Sequence, residues 1–280
     1  MRFDVQADLT LFAESMRAAV RGWEPPREPD LGEWQDDRDD ELASKLAAAG
    51  WSELWSGDDV LGATVAGGVE LGRAAAPLHL VDEATLGAPL CVEGRARHGR
   101  GATALAVPQR GGGLALGVPS GDSRAEPTLD GSGTVVVEIE SWSGLEPVAA
   151  AACWRAWNAA TLAYLAGLAA HALELTVAHA RSREQFGAPL STIPAVQSRL
   201  ADAALAVDAL ALLAWASTAS DAGVQDGELR HAGAACSEVT ASAHQVHGAL
   251  GFALESGIHV YHRRARAVHS WAVAVCDALR

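Results

Sequence analysis

The chain has 280 residues, 49% of them apolar, and carries 21 lysines and arginines against 35 aspartates and glutamates, a net charge of −14. An apolar fraction of this size is enough for a folded core and excludes a mostly disordered chain. The acidic balance argues against nucleic-acid binding through a generally basic surface, because such a surface needs cations to replace the counterions of the phosphates.

Residues 1–84 are predicted to form an N-terminal helical domain. Its first two helices have apolar residues at helical spacing, which are Leu9, Phe12, Met16, Leu42 and Leu46. A third helical pattern covers residues 60–75 and ends before Pro77, because proline cannot continue a helix.

Residues 85–147 are predicted to form a small, reduced β domain. Glycine-rich turns at Gly111–Gly113 and Gly131–Gly133 separate short runs of strand-forming residues. The runs cover residues 102–107, 114–118 and 134–139. The triple glycine could be mistaken for a phosphate-binding loop, but no GxxxxGK[ST] pattern is present and no helix follows it. We therefore interpret it as a hairpin turn.

Residues 148–280 are predicted to form a C-terminal domain of long alanine- and leucine-rich helices. The predicted helices cover residues 149–183, 195–220, 228–250 and 258–279. Antiparallel packing of such helices gives a four-helix bundle, and their wide apolar stripes imply some burial at a subunit interface. The predicted fold class is thus mainly α, with a small β domain in the middle.

The cysteines, the N-terminus and the most apolar segment bear on disulfide or metal binding and on cellular location. The cysteines at positions 91, 153, 236 and 276 are far apart and form no CxxC pair, so the sequence indicates neither a disulfide framework nor a zinc knuckle. The first ten residues lack the pattern of a secretory signal. The most apolar segment, residues 159–170, is too short to span a bilayer. We expect a soluble, cytoplasmic protein without a membrane partner.

Two segments of the helical zone carry specific patterns. Residues 181–190 contain R-x-x-F-G, and residues 244–252 contain Q-x-x-G-A-x-G-F. Together they resemble two FAD-binding turns in the C-terminal domain of the acyl-CoA dehydrogenase family. Residues 46–51 and 70–77 are similar to that family's N-terminal helical domain, so the resemblance touches both ends of the chain.

The resemblance implies specific cofactor contacts. Arg183, Gln185 and Phe186 would meet the pyrophosphate and neighbouring parts of FAD, and Gln245 and Gly248 would lie along its adenosine end. These residue types suit the ligand, because a pyrophosphate is bound by a guanidinium and by backbone N–H groups at a helix terminus. In this family the contacts reach across to a flavin held mainly by a neighbouring subunit, so the resemblance also implies an oligomer.

The catalytic base of the family is missing. Relatives remove the α-proton of an acyl-CoA thioester with a glutamate while the flavin takes a hydride from the β-carbon. In one branch this glutamate falls at or near Ala272 of this chain, and in the other at about Trp157. Neither residue is a carboxylate, so no catalytic residue is assigned. Pro194 and Ala249 also stand where many relatives have glutamine and glycine.

With half of the FAD contacts and no evident base, the chain resembles the accessory subunit of heterotetrameric (α2β2) acyl-CoA dehydrogenases of actinobacterial steroid side-chain degradation. This implies a homologous partner subunit that supplies the base, and an acyl-CoA substrate whose acyl group the sequence does not specify. Two alternatives stay open. One is a self-sufficient homo-oligomeric flavoenzyme whose base is a group such as His269, Asp277 or Glu174. The other is a degenerate, non-catalytic scaffold protein.

Histidines raise the question of a metal site. Two H-x-x-H pairs, His244 with His247 and His259 with His262, flank Glu255. Imidazole and carboxylate groups are suitable ligands for zinc or iron. However, His247 adjoins the glycine turn, and no H-E-x-x-H or E-x-x-H pattern completes the set. We therefore expect no metal.

Overall fold

A computed structural model of the chain describes residues 5–27, 36–52, 60–97, 102–126, 128 and 134–280. Four helices precede the strands: α1 (Val5–Ala19), α2 (Asp36–Ala48), α3 (Val60–Arg73) and α4 (His79–Leu86). The three predicted helical patterns are confirmed, and α4 is an additional helix. It ends at Gly87, whose left-handed backbone (φ +76°) lets its N–H bond the carbonyl of Glu83.

The middle of the chain forms a five-stranded antiparallel sheet. Its strands are β1 (Cys91–Val92), β2 (Arg95–Arg97), β3 (Leu105–Gln109), β4 (Gly113–Glu126) and β5 (Thr134–Gly144). They lie in the order β1-β2-β5-β4-β3, and a bridge between Leu90 and Ala106 brings the two edges of the sheet together. The predicted hairpin turn is confirmed between β3 and β4, where Gly111 and Gly112 have positive φ angles. The second predicted turn, at residues 131–133, lies outside the described residues.

Four long helices follow, as predicted: α5 (Pro147–Ser182), α6 (Pro194–Ser217), α7 (Asp226–His247) and α8 (Ile258–Leu279). Helix α5 packs against the other three, which gives the expected four-helix bundle. A short hairpin, β6 (Glu184–Gln185) with β7 (Ala188–Pro189), connects α5 to α6. The division into domains at 1–84, 85–147 and 148–280 stays a prediction.

Helices α3 and α5 cross with their backbones in contact. A Cβ atom at Gly72 would overlap the carbonyl oxygen of Tyr164 and lie 2.8 Å from its carbonyl carbon. A Cβ atom at Gly167 would overlap the carbonyl oxygen of Val69 in the same way. The small residues of the sequence thus allow an N-terminal helix to sit directly on the longest helix of the bundle.

A buried polar cluster joins four elements of the fold. The guanidinium Nη2 of Arg97 in β2 and the indole Nε1 of Trp157 in α5 each donate a hydrogen bond of 2.9 Å to Oδ1 of Asp82 in α4. The N–H of Leu90 donates to the other carboxylate oxygen. Arg97 also lies 5.1 Å from the ring centroid of Trp271 in α8. Burial raises the pKa of Asp82, and the charge of Arg97 acts in the opposite direction.

Two helices of the described residues, α5 and α6, are long and apolar enough to cross a membrane by length and composition alone. In α5, 67% of the apolar stretch is buried inside the fold, so the length of this helix is accounted for by its place in the core. In α6 only 22% of the stretch is buried. Its exposed apolar side chains include Leu205, Leu212 and Trp215.

Candidate functional site

Both sequence motifs contribute to one pocket. The pocket has a volume of about 550 Å³ and lies where the C-terminal ends of α5 and α7 meet the N-terminal end of α6. Of the five predicted cofactor residues, Arg183, Gln185, Gln245 and Gly248 line it, and Phe186 does not. Its volume is in the usual range of small-molecule pockets. Residues about 60 positions apart in the sequence therefore meet in one pocket, while their role toward a cofactor stays a prediction.

The charge of the pocket suits an anion. Arg183 and Arg199 are in its lining, and none of its described lining residues is acidic, although the chain as a whole carries a net charge of −14. Ala195 and Val196, in the first turn of α6, also line it, so the positive end of that helix dipole faces the pocket. A cationic, partly open pocket in an acidic protein is electrostatically selective for anionic ligands.

Backbone geometry explains the predicted residue Gly248 and the departure at Pro194. Gly248 ends α7 with φ +61° and ψ −135°, a conformation open in practice only to glycine, and its N–H bonds the carbonyls of His244 and Gln245. A Cβ atom there would meet nothing within 4 Å, so the backbone of Gly248 is accessible from the pocket side. Pro194, a departure from the family pattern, opens α6 in its first turn, where a proline is well tolerated.

Phe186 stands apart from the other motif residues. It forms the two-residue loop between β6 and β7 together with Gly187, and both have positive φ angles, +57° and +81°. Positive φ at both positions is typical of a type I′ hairpin turn, but it is strained for a bulky side chain such as phenylalanine. The side chain is also 95% exposed. A strained and fully exposed aromatic residue is typical of a functional position rather than of a packing one.

Two histidines in the pocket stack on each other. The rings of His179 in α5 and His247 in α7 have centroids 4.3 Å apart and planes inclined by 17°. Nδ1 of the buried His247 donates to the carbonyl of Ala243 at 2.8 Å, which fixes its ring. Burial lowers the pKa of His179, and the nearby charges of His247 and Arg183 lower it further.

Sequence reasoning missed two of these pocket residues. His179 lies four residues before Arg183, which is one helical turn, so its position on the same face of α5 was a usable signal. Arg199 offered no such signal, because its place depends on how α6 packs; there its Nη1 atom lies 3.4 Å from Oγ of Ser242 in α7.

The two H-x-x-H pairs do not form a ligand set with Glu255. Instead, the ring of His244 contacts the rings of Phe252 and His262, at centroid distances of 5.7 and 5.3 Å. Nδ1 of His262 lies 3.0 Å from Oγ1 of Thr240. Within the described ranges, no three histidine, cysteine, aspartate or glutamate side chains are placed to share a metal ion.

The two positions considered for the catalytic base are buried, and neither holds a carboxylate. Trp157 is fully buried and hydrogen-bonded to Asp82, and that carboxylate is itself paired with Arg97. Ala272 is buried in α8, which continues to Leu279 with no turn at this point. Neither position offers a carboxylate that reaches the pocket formed by the two motifs.

The alternative bases are engaged elsewhere. Glu174 pairs with Arg73 at 2.6 Å, and this hydrogen bond lowers the pKa of the glutamate. Asp277 accepts a hydrogen bond of 2.6 Å from Arg230. Burial lowers the pKa of His269, and the charge of Arg266 adds to the effect. None of the three candidates lines the pocket that the motifs form.

Comparison with known proteins agrees with this architecture. Residues 156–272 match the family "Acyl-CoA dehydrogenase, C-terminal domain". The acyl-CoA dehydrogenase IpdE2 of Mycolicibacterium smegmatis is 34% identical over 100 residues, which cover 35% of this chain and 32% of that protein. The matching segment thus spans only about a third of this curated relative.

Solved structures extend the likeness to nearly the whole chain. A variant of the Tcur3481–Tcur3483 steroid ACAD superposes with a TM-score of 0.76 at 22% identity, covering 98% of this chain and 96% of that one. The ChsE4–ChsE5 complex from Mycobacterium tuberculosis superposes with a TM-score of 0.66 at 19% identity, covering 99% and 96%. Residues 156–272 thus match the C-terminal domain of the acyl-CoA dehydrogenase family, and the chain has the acyl-CoA dehydrogenase fold.

Proposed function

We propose that this chain is an FAD-binding subunit of a heteromeric acyl-CoA dehydrogenase, which completes the flavin site of a homologous partner subunit. The complex would carry out α,β-dehydrogenation of an acyl-CoA thioester, with the catalytic base supplied by the partner. One observation carries the proposal: the two motifs form a single cationic pocket, while the base positions hold Trp157 and Ala272.

The residues of the pocket fit the nucleotide part of FAD. The guanidinium of Arg183 and the N-terminal end of α6 suit a pyrophosphate, and the amides of Gln185 and Gln245 can pair with polar groups of a nucleotide. Bound FAD would supply the hydride acceptor of the reaction. The residues of this chain would bind and orient the cofactor.

Exposed apolar side chains support a protein partner. Phe186 and Phe252 protrude beside the pocket, and Leu205, Leu212 and Trp215 protrude from α6. Exposed apolar side chains that recur along one helix, as in α6, are typical of interaction surfaces. The names of the two structural relatives each pair two components, and one of them is called a steroid ACAD. We therefore propose a homologous partner, a cytoplasmic location, and a steroid side-chain CoA thioester as the first substrate to assay.

Co-expression with the product of the adjacent gene tests the proposal. The complex should purify with bound flavin and oxidise acyl-CoA thioesters, while the single chain should do neither. A single chain that retains one FAD per subunit and oxidises acyl-CoA would favour the self-sufficient enzyme. The absence of a flavin absorption band from both the chain and the complex would favour a scaffold protein.

Arg183→Ala should weaken FAD retention in the complex. A charge-assisted hydrogen bond contributes about 1.5–3 kcal/mol, so we expect a loss of affinity of about 10- to 100-fold. Flavin absorbance after gel filtration measures the retention. Arg181→Ala is the matched control, because Arg181 is an exposed arginine two residues away and is not in the pocket lining. Equal retention by both variants would contradict the role of Arg183.

Phe186→Asn should separate function from stability. Asparagine tolerates the left-handed backbone of this position better than phenylalanine does, and the exposed ring contributes little packing. We expect an unchanged or slightly higher melting temperature together with weaker flavin retention in the complex. Leu11→Asn, at an exposed apolar residue of α1, is the control. Full flavin retention in Phe186→Asn would show that the exposed ring has no part in the site.

A further inference from the structure

The rings of His179 and His247 stack on each other inside the pocket that the two motifs form. Both residues line the pocket together with Arg183. His247 is anchored by its hydrogen bond to Ala243, whereas the ring nitrogens of His179 form no hydrogen bond with the described residues. His179 is half-buried, so a ligand in the pocket can reach its ring.

The charges around His179 oppose its protonation when no anion is present. Arg183 at the end of α5 and Arg199 on α6 carry positive charge, and the charges of His247 and Arg183 both lower the pKa of His179. No acidic residue of the described pocket lining offsets them. Both burial and like charge therefore favour the neutral imidazole.

An anionic ligand reverses this balance. A diphosphate diester carries two negative charges, and a low-dielectric pocket strengthens their attraction for a nearby cation. We propose that binding of a diphosphate diester in this pocket is coupled to the uptake of one proton from solvent by His179. The imidazolium of His179 and the guanidinium of Arg183 then bind the diphosphate jointly. The inference rests on the proposed function only in treating the pocket as a dinucleotide site.

A dependence on pH follows. The free protein holds His179 neutral, and the bound anion favours its charged form, so binding strengthens as the pH falls across the neutral range. Uptake of one proton corresponds to at most about a tenfold gain in affinity per pH unit. A ligand held by arginine alone would show no such dependence, because a guanidinium stays charged throughout.

Adenosine diphosphate ribose is the probe of choice. Both of its phosphates are diesters, so its own charge is constant between about pH 6.5 and 8, and any proton exchanged belongs to the protein. Isothermal titration of the full chain in two non-phosphate buffers of different ionisation enthalpy gives the number of protons taken up. We expect uptake of up to one proton, together with tighter binding at lower pH.

Variants assign the proton to His179. His179→Phe keeps an aromatic ring over His247 but has no proton site, so it should bind with an affinity that no longer depends on pH. His231→Gln, at an exposed histidine of α7 outside the pocket lining, should behave as the wild-type chain. Proton uptake that persists in His179→Phe would overturn the assignment.

Two further outcomes would also overturn the inference. One is binding of the probe by the wild-type chain without proton uptake, and the other is no binding at all. Neither decides the proposed function, because the flavin content of the co-purified complex is a separate measurement. Conversely, a complex that lacks flavin would end the proposed function, whereas proton-linked binding of the probe would still support the inference.

Discussion

Replacing Gly167 by alanine is expected to destabilise the chain by about 3 kcal/mol, because the new methyl group would overlap the carbonyl of Val69 in α3. The obstacle is backbone rather than a flexible side chain, so the two helices must separate to admit it. Chemical denaturation followed by circular dichroism measures the loss. Gly72→Ala meets Tyr164 from the other side of the same crossing and should have a similar effect.

Two controls sharpen this test. Gly227 lies in α7 with nothing within 4 Å of the position of a Cβ atom, so Gly227→Ala should stabilise the chain by about 0.4–1 kcal/mol. The double variant Gly72→Ala/Gly167→Ala should cost less than the sum of the single changes, since one separation of the helices accommodates both methyl groups. A Gly167→Ala variant that is as stable as the wild type would contradict the close approach of α3 and α5.

Asp82→Asn is expected to have the second large effect, a loss of about 3–5 kcal/mol. The substitution removes the carboxylate that faces the buried guanidinium of Arg97, while the amide oxygen can still accept from Trp157. The energetic cost therefore comes from the lost negative charge of the pair and from the N–H of Leu90, which would face an amide NH2 group instead of a carboxylate oxygen. The double variant Asp82→Asn/Arg97→Met should recover part of the loss, because no buried charge is then left at the site.

An exposed ion pair provides the comparison. Nζ of Lys45 lies 2.7 Å from Oε1 of Glu41, one helical turn away on α2. Both side chains are more than half exposed. Lys45→Gln should cost no more than about 0.5 kcal/mol, because solvent screens the pair. Similar losses of unfolding free energy for Asp82→Asn and Lys45→Gln would mean that the buried cluster does not hold the four elements together.

Most helices could be predicted because their apolar spacing and their stops are local. The elements that were missed, which are α4 and the strands β1, β2, β6 and β7, are short. Helix α4 has only eight residues and begins just after Pro77, which looked like the end of helical structure. Strands β1 and β2 have two and three residues, too few for an alternating pattern, and β2 lies between β1 and β5 in the sheet.

The residues of the site fall into the same two groups, those that a local pattern indicates and those that only tertiary packing brings together. Arg183, Gln185, Gln245 and Gly248 could be predicted because each stands in a motif, and the fold brings them to one pocket. The partnership of His179 with His247, and that of Asp82 with Arg97, could not be predicted, since each pair joins separate elements. Such contacts depend on the tertiary packing of the whole chain rather than on any local pattern.

The continuity of α5 has a consequence for local stability. A helix of 36 residues is about 54 Å long, and this one passes from a fully buried stretch at residues 156–169 to an exposed last turn at Arg181 and Ser182. Amide hydrogen exchange along α5 should therefore be slowest in the middle and faster at the pocket end. The proposed ligand site lies where the helix opens more easily than at its centre, so a bound nucleotide would slow exchange there and leave the buried centre unchanged.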